Sequence, residues 1–172
     1  KQLNLNVQEG KRFTPVMKDI FSFLKECPYD SLKVVIINNK PFYHAGKSDG
    51  MALSTKDGKV NIGLKSFYKD IEKDIHPEGV EWNPSLKYLA NQGVLLMNVA
   101  LTTQIEKKEP HYDIWKPFIE YVLDTLNTYN TGIPYVYLGD TAKKWSKNTN
   151  NSNYKFFLTH PIDDLDVKKE FD

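Results

Sequence analysis

Four short apolar runs constrain this chain more than any other feature: Val34-Val35-Ile36-Ile37, Val94-Leu95-Leu96-Met97, Tyr135-Val136-Tyr137-Leu138 and Phe156-Phe157-Leu158. The first is β-branched throughout and does not alternate with polar residues, the pattern of a strand buried on both faces, and the other three are of the same kind. Segments with helical spacing lie between them. One runs from Leu64 to Ile75, and another holds Trp115, Phe118, Ile119, Val122, Leu123 and Leu126, with Pro117 expected in its first turn, where a missing N–H is tolerated. Ahead of the first strand, Phe13, Val16, Met17, Ile20, Phe21 and Leu24 predict an amphipathic helix over about 14 to 26, ending before Pro28. Strands separated by helices predict an α/β domain, a four-stranded parallel sheet with helices on both faces. In such a sheet the functional site lies at the carboxyl ends of the strands.

Length and charge narrow the choice of function less than the fold. At 172 residues the chain is one domain, residues 1–172, and its only strongly polar stretch, 147–153, reads as a surface loop. A mean hydropathy of -0.53 predicts a soluble chain without a membrane partner. The net charge of +1 gives no argument for nucleic acid, so any grip on phosphates must come from a local patch. Cys27 is the only cysteine, which excludes an internal disulfide and suits a reducing, intracellular setting, cytoplasmic or nucleoid-associated. His44, His76, His111 and His160 lack metal-ligand spacing, and neither metal nor cofactor is expected. The Lys- and Asn-rich bias suits AT-rich DNA, such as that of a phage or virus.

After the strands come Asn38 to His44, then Asn98, then Gly139-Asp140, then His160-Pro161. Singly these are ordinary turn, cap and loop residues, but their order is informative. Asn38 through Ser54 lies without gaps on a GQDPYH...GLAFS segment, keeping Pro41, Gly46, Gly50, Ala52 and Ser54. Gln92 through Thr102 is similar to QGVLLLNAVLT, His111 with Trp115 to SH...GW, Tyr137-Leu138-Gly139 with Ala142 to LWG...A, and His160-Pro161 to the start of HPSPLS. Together these resemble the family 1 uracil-DNA glycosylases over nearly the whole chain.

The resemblance implies a pocket for a flipped base. Asn98 falls at the family's base-reading asparagine, and His160 at the histidine that hydrogen-bonds the O2 oxygen as the glycosidic bond breaks. Lys40 replaces the aspartate that orients water and favours the cationic sugar. A unit charge about 4 Å away is worth roughly 4 kcal/mol at an effective dielectric near 20, so reversing its sign costs on the order of 8 kcal/mol, about a millionfold in rate. Phe42 replaces the tyrosine that bars thymine, and Leu53 the phenylalanine that stacks on uracil. Asn38 and Asn39 replace Gly and Gln, placing side-chain bulk where backbone approaches the base. Among the DNA-contact loops Ser54 is kept, Val60 to Gly63 replaces a proline-rich loop, and His160-Pro161-Ile162-Asp163-Asp164-Leu165 replaces HPSPLS. Asp163 and Asp164 repel phosphates where the family has a phosphate-binding serine, and Leu165 follows them.

These departures favour a catalytically impaired glycosylase fold that serves as a protein-binding component of a replication or repair assembly, with DNA binding weakened. A working glycosylase for uracil or a related base, with an atypical active site, is the alternative. In one variant of it Lys40 attacks the sugar carbon and forms a Schiff base. A non-catalytic DNA-binding base sensor is the third reading.

Overall fold

The computed structural model describes residues 10–105, 107 and 109–159. His160, Ile162, Asp163 and Leu165 therefore lie outside the described residues. In chain order the elements are β1 (Phe13–Thr14), a 3-10 turn (Met17–Asp19), α1 (Ser22–Lys25), a second 3-10 turn (Tyr29–Ser31), β2 (Val34–Asn38), α2 (Ile62–Asp74), α3 (Lys87–Ala90), β3 (Val94–Asn98), β4 (Thr103–Gln104), α4 (Tyr112–Tyr129), β5 (Pro134–Leu138), α5 (Gly139–Lys143), a third 3-10 turn (Lys144–Asn148) and β6 (Tyr154–Leu158). The four apolar runs form one parallel sheet in the order β3-β2-β5-β6, and β1 pairs with β4 as a separate antiparallel ribbon.

The central strands are buried as expected, with Val35, Ile37, Leu96, Met97, Tyr135 and Tyr137 at the heart of a single core that also takes in Leu64, Ile119 and Leu123 from the two long helices. The edge strand differs. In β6 Phe156, Phe157 and Leu158 are 51%, 47% and 56% exposed, so this run is not buried on both faces. Among the described residues it pairs with β5, the ammonium of Lys155 is tied to the carbonyls of Ser146 and Thr149, and the Phe157 ring stacks on Tyr137.

Two helical expectations need correction. The predicted helix over 14 to 26 is broken into a ribbon strand, a 3-10 turn and the single turn α1, and the face turned inward is Ile20, Phe23 and Cys27, while Val16, Met17 and Leu24 are exposed. The break lies where the Asp19 carbonyl abuts Gly50: a Cβ on that glycine would come within 1.7 Å of the oxygen. Tertiary contact there overrides local periodicity. Pro117 sits in the second turn of α4, not the first, because the helix begins at Tyr112. It removes the amide that would bond the Asp113 carbonyl, and both residues are exposed, which leaves that carbonyl accessible to solvent.

Candidate functional site

The site is built at the carboxyl ends of β2 and β5. A cavity of about 350 Å³ opens there, lined by Asn38 to Tyr43 from the loop after β2, by Leu138 to Thr141 from the turn into α5, and by Met51 and Leu53. The neighbouring loops are fastened by backbone. Val99 and Ala100 donate to the carbonyls of Asn38 and Asn39 at 2.9 and 3.1 Å, and Ala52 donates to Leu96 at 3.0 Å. The walls of the cavity are thus fixed to the sheet.

Strand register places the two asparagines side by side. Asn38 and Asn98 are the last paired residues of β2 and β3, and Asn38 Nδ2 donates to Asn98 Oδ1 at 2.8 Å. Both are buried, but only Asn38 lines the cavity. The expected base reader, Asn98, is bonded to Asn38 and is not itself among the residues that line the cavity. The amide of Asn38 also faces the Lys40 carbonyl at 3.4 Å, while its Oδ1 is buried without a hydrogen-bond partner.

Of the other expected residues, Lys40, Phe42, Leu53 and Asn39 all line the cavity. Ser54 does not. It is fully buried, donates to the Asp49 carboxylate at 2.5 Å and accepts the Leu86 amide at 2.9 Å, so its hydroxyl holds the loop together and is not displayed to DNA. Burial pushes the Asp49 carboxyl above its ordinary range, with the Ser54 and Met51 hydrogen bonds opposing the shift and nearby Asp19 adding to it.

Several residues that shape the site had no role assigned to them from the sequence. Tyr112, at the start of α4, donates its phenol proton to Asn39 Oδ1. Asn61 donates to the Leu53 carbonyl and caps α2. Asp140 and Thr141 bring a carboxylate and a hydroxyl to the β5 wall. Position was the visible signal for Tyr112, beside His111, and for Asp140 and Thr141, just after β5; for Asn61 it was the place ahead of the helix it caps. Below them, Trp115 Nε1 donates to Thr102 Oγ1 at 2.7 Å, and the same hydroxyl pairs with His111 Nδ1 at 2.8 Å. Burial keeps the His111 imidazole below its usual pKa and favours its neutral form. His111 and Trp115 thus anchor α4 beneath the loops.

Beside the lining residues Phe42 and Tyr43 the loop is aromatic and basic. Lys47 Nζ lies 4.6 Å from the centre of the Phe42 ring, and the rings of Tyr43 and His44 are 4.1 Å apart. Such pairs can carry stacked bases and a phosphate chain. Among the described residues no group of three or more metal-ligating side chains converges.

No protein-family model matches the chain. Curated relatives do match. The chain is similar to "Uracil-DNA glycosylase" of Coxiella burnetii (strain RSA 493 / Nine Mile phase I), at 33% identity over 155 residues, covering 88% of this chain and 67% of that protein. It is similar to "Uracil-DNA glycosylase" of Blochmanniella floridana, at 32% identity over 162 residues, covering 92% and 73%. Among solved structures, mimivirus uracil-DNA glycosylase superposes with a TM-score of 0.86 at 22% identity, over 93% of this chain and 60% of the mimivirus chain. A variant of that viral protein was solved in complex with UGI. This chain spans less than two thirds of the mimivirus protein and about two thirds of the Coxiella one.

Proposed function

The chain belongs to the uracil-DNA glycosylase family, and from that premise we propose that it excises uracil or a related base from DNA with an atypical active site in which Lys40 stands where the resemblance implies an aspartate. The observation that carries this reading is the cavity at the ends of β2 and β5, built from the segment that resembles the family's water-activating loop, with a buried amide pair at its back. The names of the relatives support it over the protein-binding scaffold suggested by the sequence departures.

Hydrolysis of the glycosidic bond joins a water oxygen to C1′ as the C1′–N1 electron pair leaves with the base, and the proton shed by the water passes to the anionic base or to solvent. The transition state is an ion pair, a cationic sugar and an anionic base. A cation such as Lys40 opposes the first and supports the second, each by roughly 4 kcal/mol at about 4 Å and an effective dielectric near 20. The net effect follows from which partner it faces, and a slow but real excision is the expected compromise. Phe42, Tyr43, His44 and Lys47 would guide the strand towards the cavity.

Incubation with single-stranded and double-stranded uracil-containing DNA, followed by alkali, tests the proposal. Strand breaks at uracil positions support it, and their absence in both the natural protein and Lys40→Asp removes it. Lys40 also favours a second reading, in which the protein flips and holds the base without releasing it. That reading gains if uracil DNA is bound in low salt, the binding weakens as salt rises, and no breaks appear.

A further inference from the structure

We propose that the β1–β4 ribbon is a phosphate grip, in which Lys11, Arg12 and Lys107 hold the backbone of a DNA strand running past the cavity. That role goes beyond base excision. It supplies the local patch that a net charge of +1 demands of any chain that binds DNA.

Three observations carry it. First, the topology gathers charge. β1 and β4 are antiparallel, with Phe13 opposite Gln104, so the residues just before β1 run beside those just after β4. Backbone bonds fix the arrangement: the Ile105 amide donates to the Arg12 carbonyl at 3.0 Å, and the Gln104 amide to the Glu109 carbonyl at 2.8 Å. Lys11, Arg12 and Lys107 thereby line one cavity of about 340 Å³ together with Gln104. Arg12 is the only arginine of the chain.

Second, the patch is open and of one sign. All three cations are exposed, and no carboxylate is among the described residues that line the cavity. Glu109 is exposed and lies outside that lining. The fork of an arginine matches two oxygens of one phosphate, and lysines add point charges beside it.

Third, the ribbon adjoins the candidate base pocket. Val99 and Ala100, in the link from β3 to β4, are bonded to the carbonyls of Asn38 and Asn39, and the Thr103 hydroxyl donates to the Pro41 carbonyl at 3.5 Å. Asn38, Asn39 and Pro41 all line that pocket. The ribbon is therefore seated on the loop that forms one wall of the pocket. A strand with one base in the pocket must place its neighbouring phosphates, and the ribbon offers them cations on the adjoining surface. This adjacency favours DNA over an anionic membrane as the partner.

The test is fluorescence anisotropy with a labelled single-stranded oligonucleotide that contains no uracil, titrated at several salt concentrations. Arg12→Gln/Lys107→Gln removes two of the cations and keeps their stems. Lys69→Gln/Lys73→Gln removes two exposed cations from α2 as a charge-matched control. All four side chains are exposed, so both variants should melt cooperatively, as the natural protein does. The ribbon variant is expected to bind at least about ten-fold more weakly at low salt. Its slope of log affinity against log salt should be shallower by about 1.4, two contacts at about 0.7 each, while the control keeps the natural slope. An unchanged affinity and slope in the ribbon variant overturns the inference. So does an equal loss in the control, which would make the effect one of overall charge. A natural protein that binds no uracil-free strand overturns it as well, whether or not that protein excises uracil, so the grip and the cavity fail separately. Loss of phosphatidylserine-vesicle binding in the ribbon variant, with oligonucleotide binding unchanged, would give the patch to a lipid surface instead.

Discussion

Asn61 donates through Nδ2 to the Leu53 carbonyl at 2.7 Å, and Leu53 is the one non-glycine residue with a left-handed backbone among the described residues, at φ 63°. The Oδ1 of the same side chain accepts the Leu64 amide at 3.1 Å. One asparagine therefore holds a strained wall residue of the cavity and starts the helix behind it. Asn61→Ala loses both bonds and is expected to lower stability by about 1–3 kcal/mol in urea unfolding. Asn61→Ser keeps a capping oxygen and loses the donation to Leu53 without setting a charge against that carbonyl, so a smaller loss with weaker uracil-DNA binding is expected. Equal losses in the two variants would show that the cap carries nothing.

Lys40→Asp should raise uracil excision by at least about ten-fold, since a carboxylate supports the cationic sugar that an ammonium opposes. Single-turnover rates on a uracil-containing oligonucleotide measure it. A rate that falls means that Lys40 faces the leaving base and assists it.

Much of this was legible before any coordinate. The runs beginning at Val34, Val94 and Tyr135 are buried strands because nothing but a two-sided core accommodates them, and a parallel sheet then puts Lys40 and Gly139 at one end. The bond between Asn38 and Asn98 was not legible. That relation depends on the register of β2 against β3, which pairing fixes and neither run records by itself. Tyr112 was hidden for a similar reason: its phenol reaches Asn39 across 73 residues of sequence. The first helix misled because the turn at Asp19 and Ser22 packs on Gly50, far along the chain.

Asp49 gives the fold a pH dependence. Burial raises its carboxyl above the ordinary 3.8, so the folded state prefers the protonated form. Its contribution to stability is complete below that ordinary value and is lost as pH rises through the elevated one. Urea midpoints of the natural protein, taken from about pH 3.5 to neutrality, should therefore fall relative to those of Asp49→Asn, which does not titrate there. Parallel curves would mean that Asp49 is ionised in the folded state at no cost.

Thr102→Val keeps the shape of the side chain but strips Trp115 Nε1 and His111 Nδ1 of their shared partner. A loss of about 1–3 kcal/mol is expected, and Thr102→Ser should restore most of it. His111 is held below its ordinary 6.5 by burial, so the stability tied to its neutral form is present above that value and lost as acid protonates it. A valine variant as stable as the natural protein would remove the anchoring role.

Gly50→Ala should not fold. Its Cβ would lie 1.7 Å from the Asp19 carbonyl oxygen, on a backbone at φ +91° that side chains rarely adopt. Gly58→Ala meets nothing within 4 Å and serves as a control for positive φ alone, at φ +75°. Soluble, cooperatively melting protein from the first variant would contradict the close packing of Gly50 on the turn before α1.

The order β3-β2-β5-β6 also governs when the molecule can become itself. Val35 pairs with Tyr135, 100 positions further along. At about 5–20 residues per second a ribosome takes roughly 5–20 s to deliver the second after the first. Through that interval the nascent chain holds β2 without β5, and the wall from Leu138 to Thr141 does not yet exist. The pocket is among the last features to be born, and a polypeptide halted before Leu138 carries the family's signature loop with no cavity for it to serve.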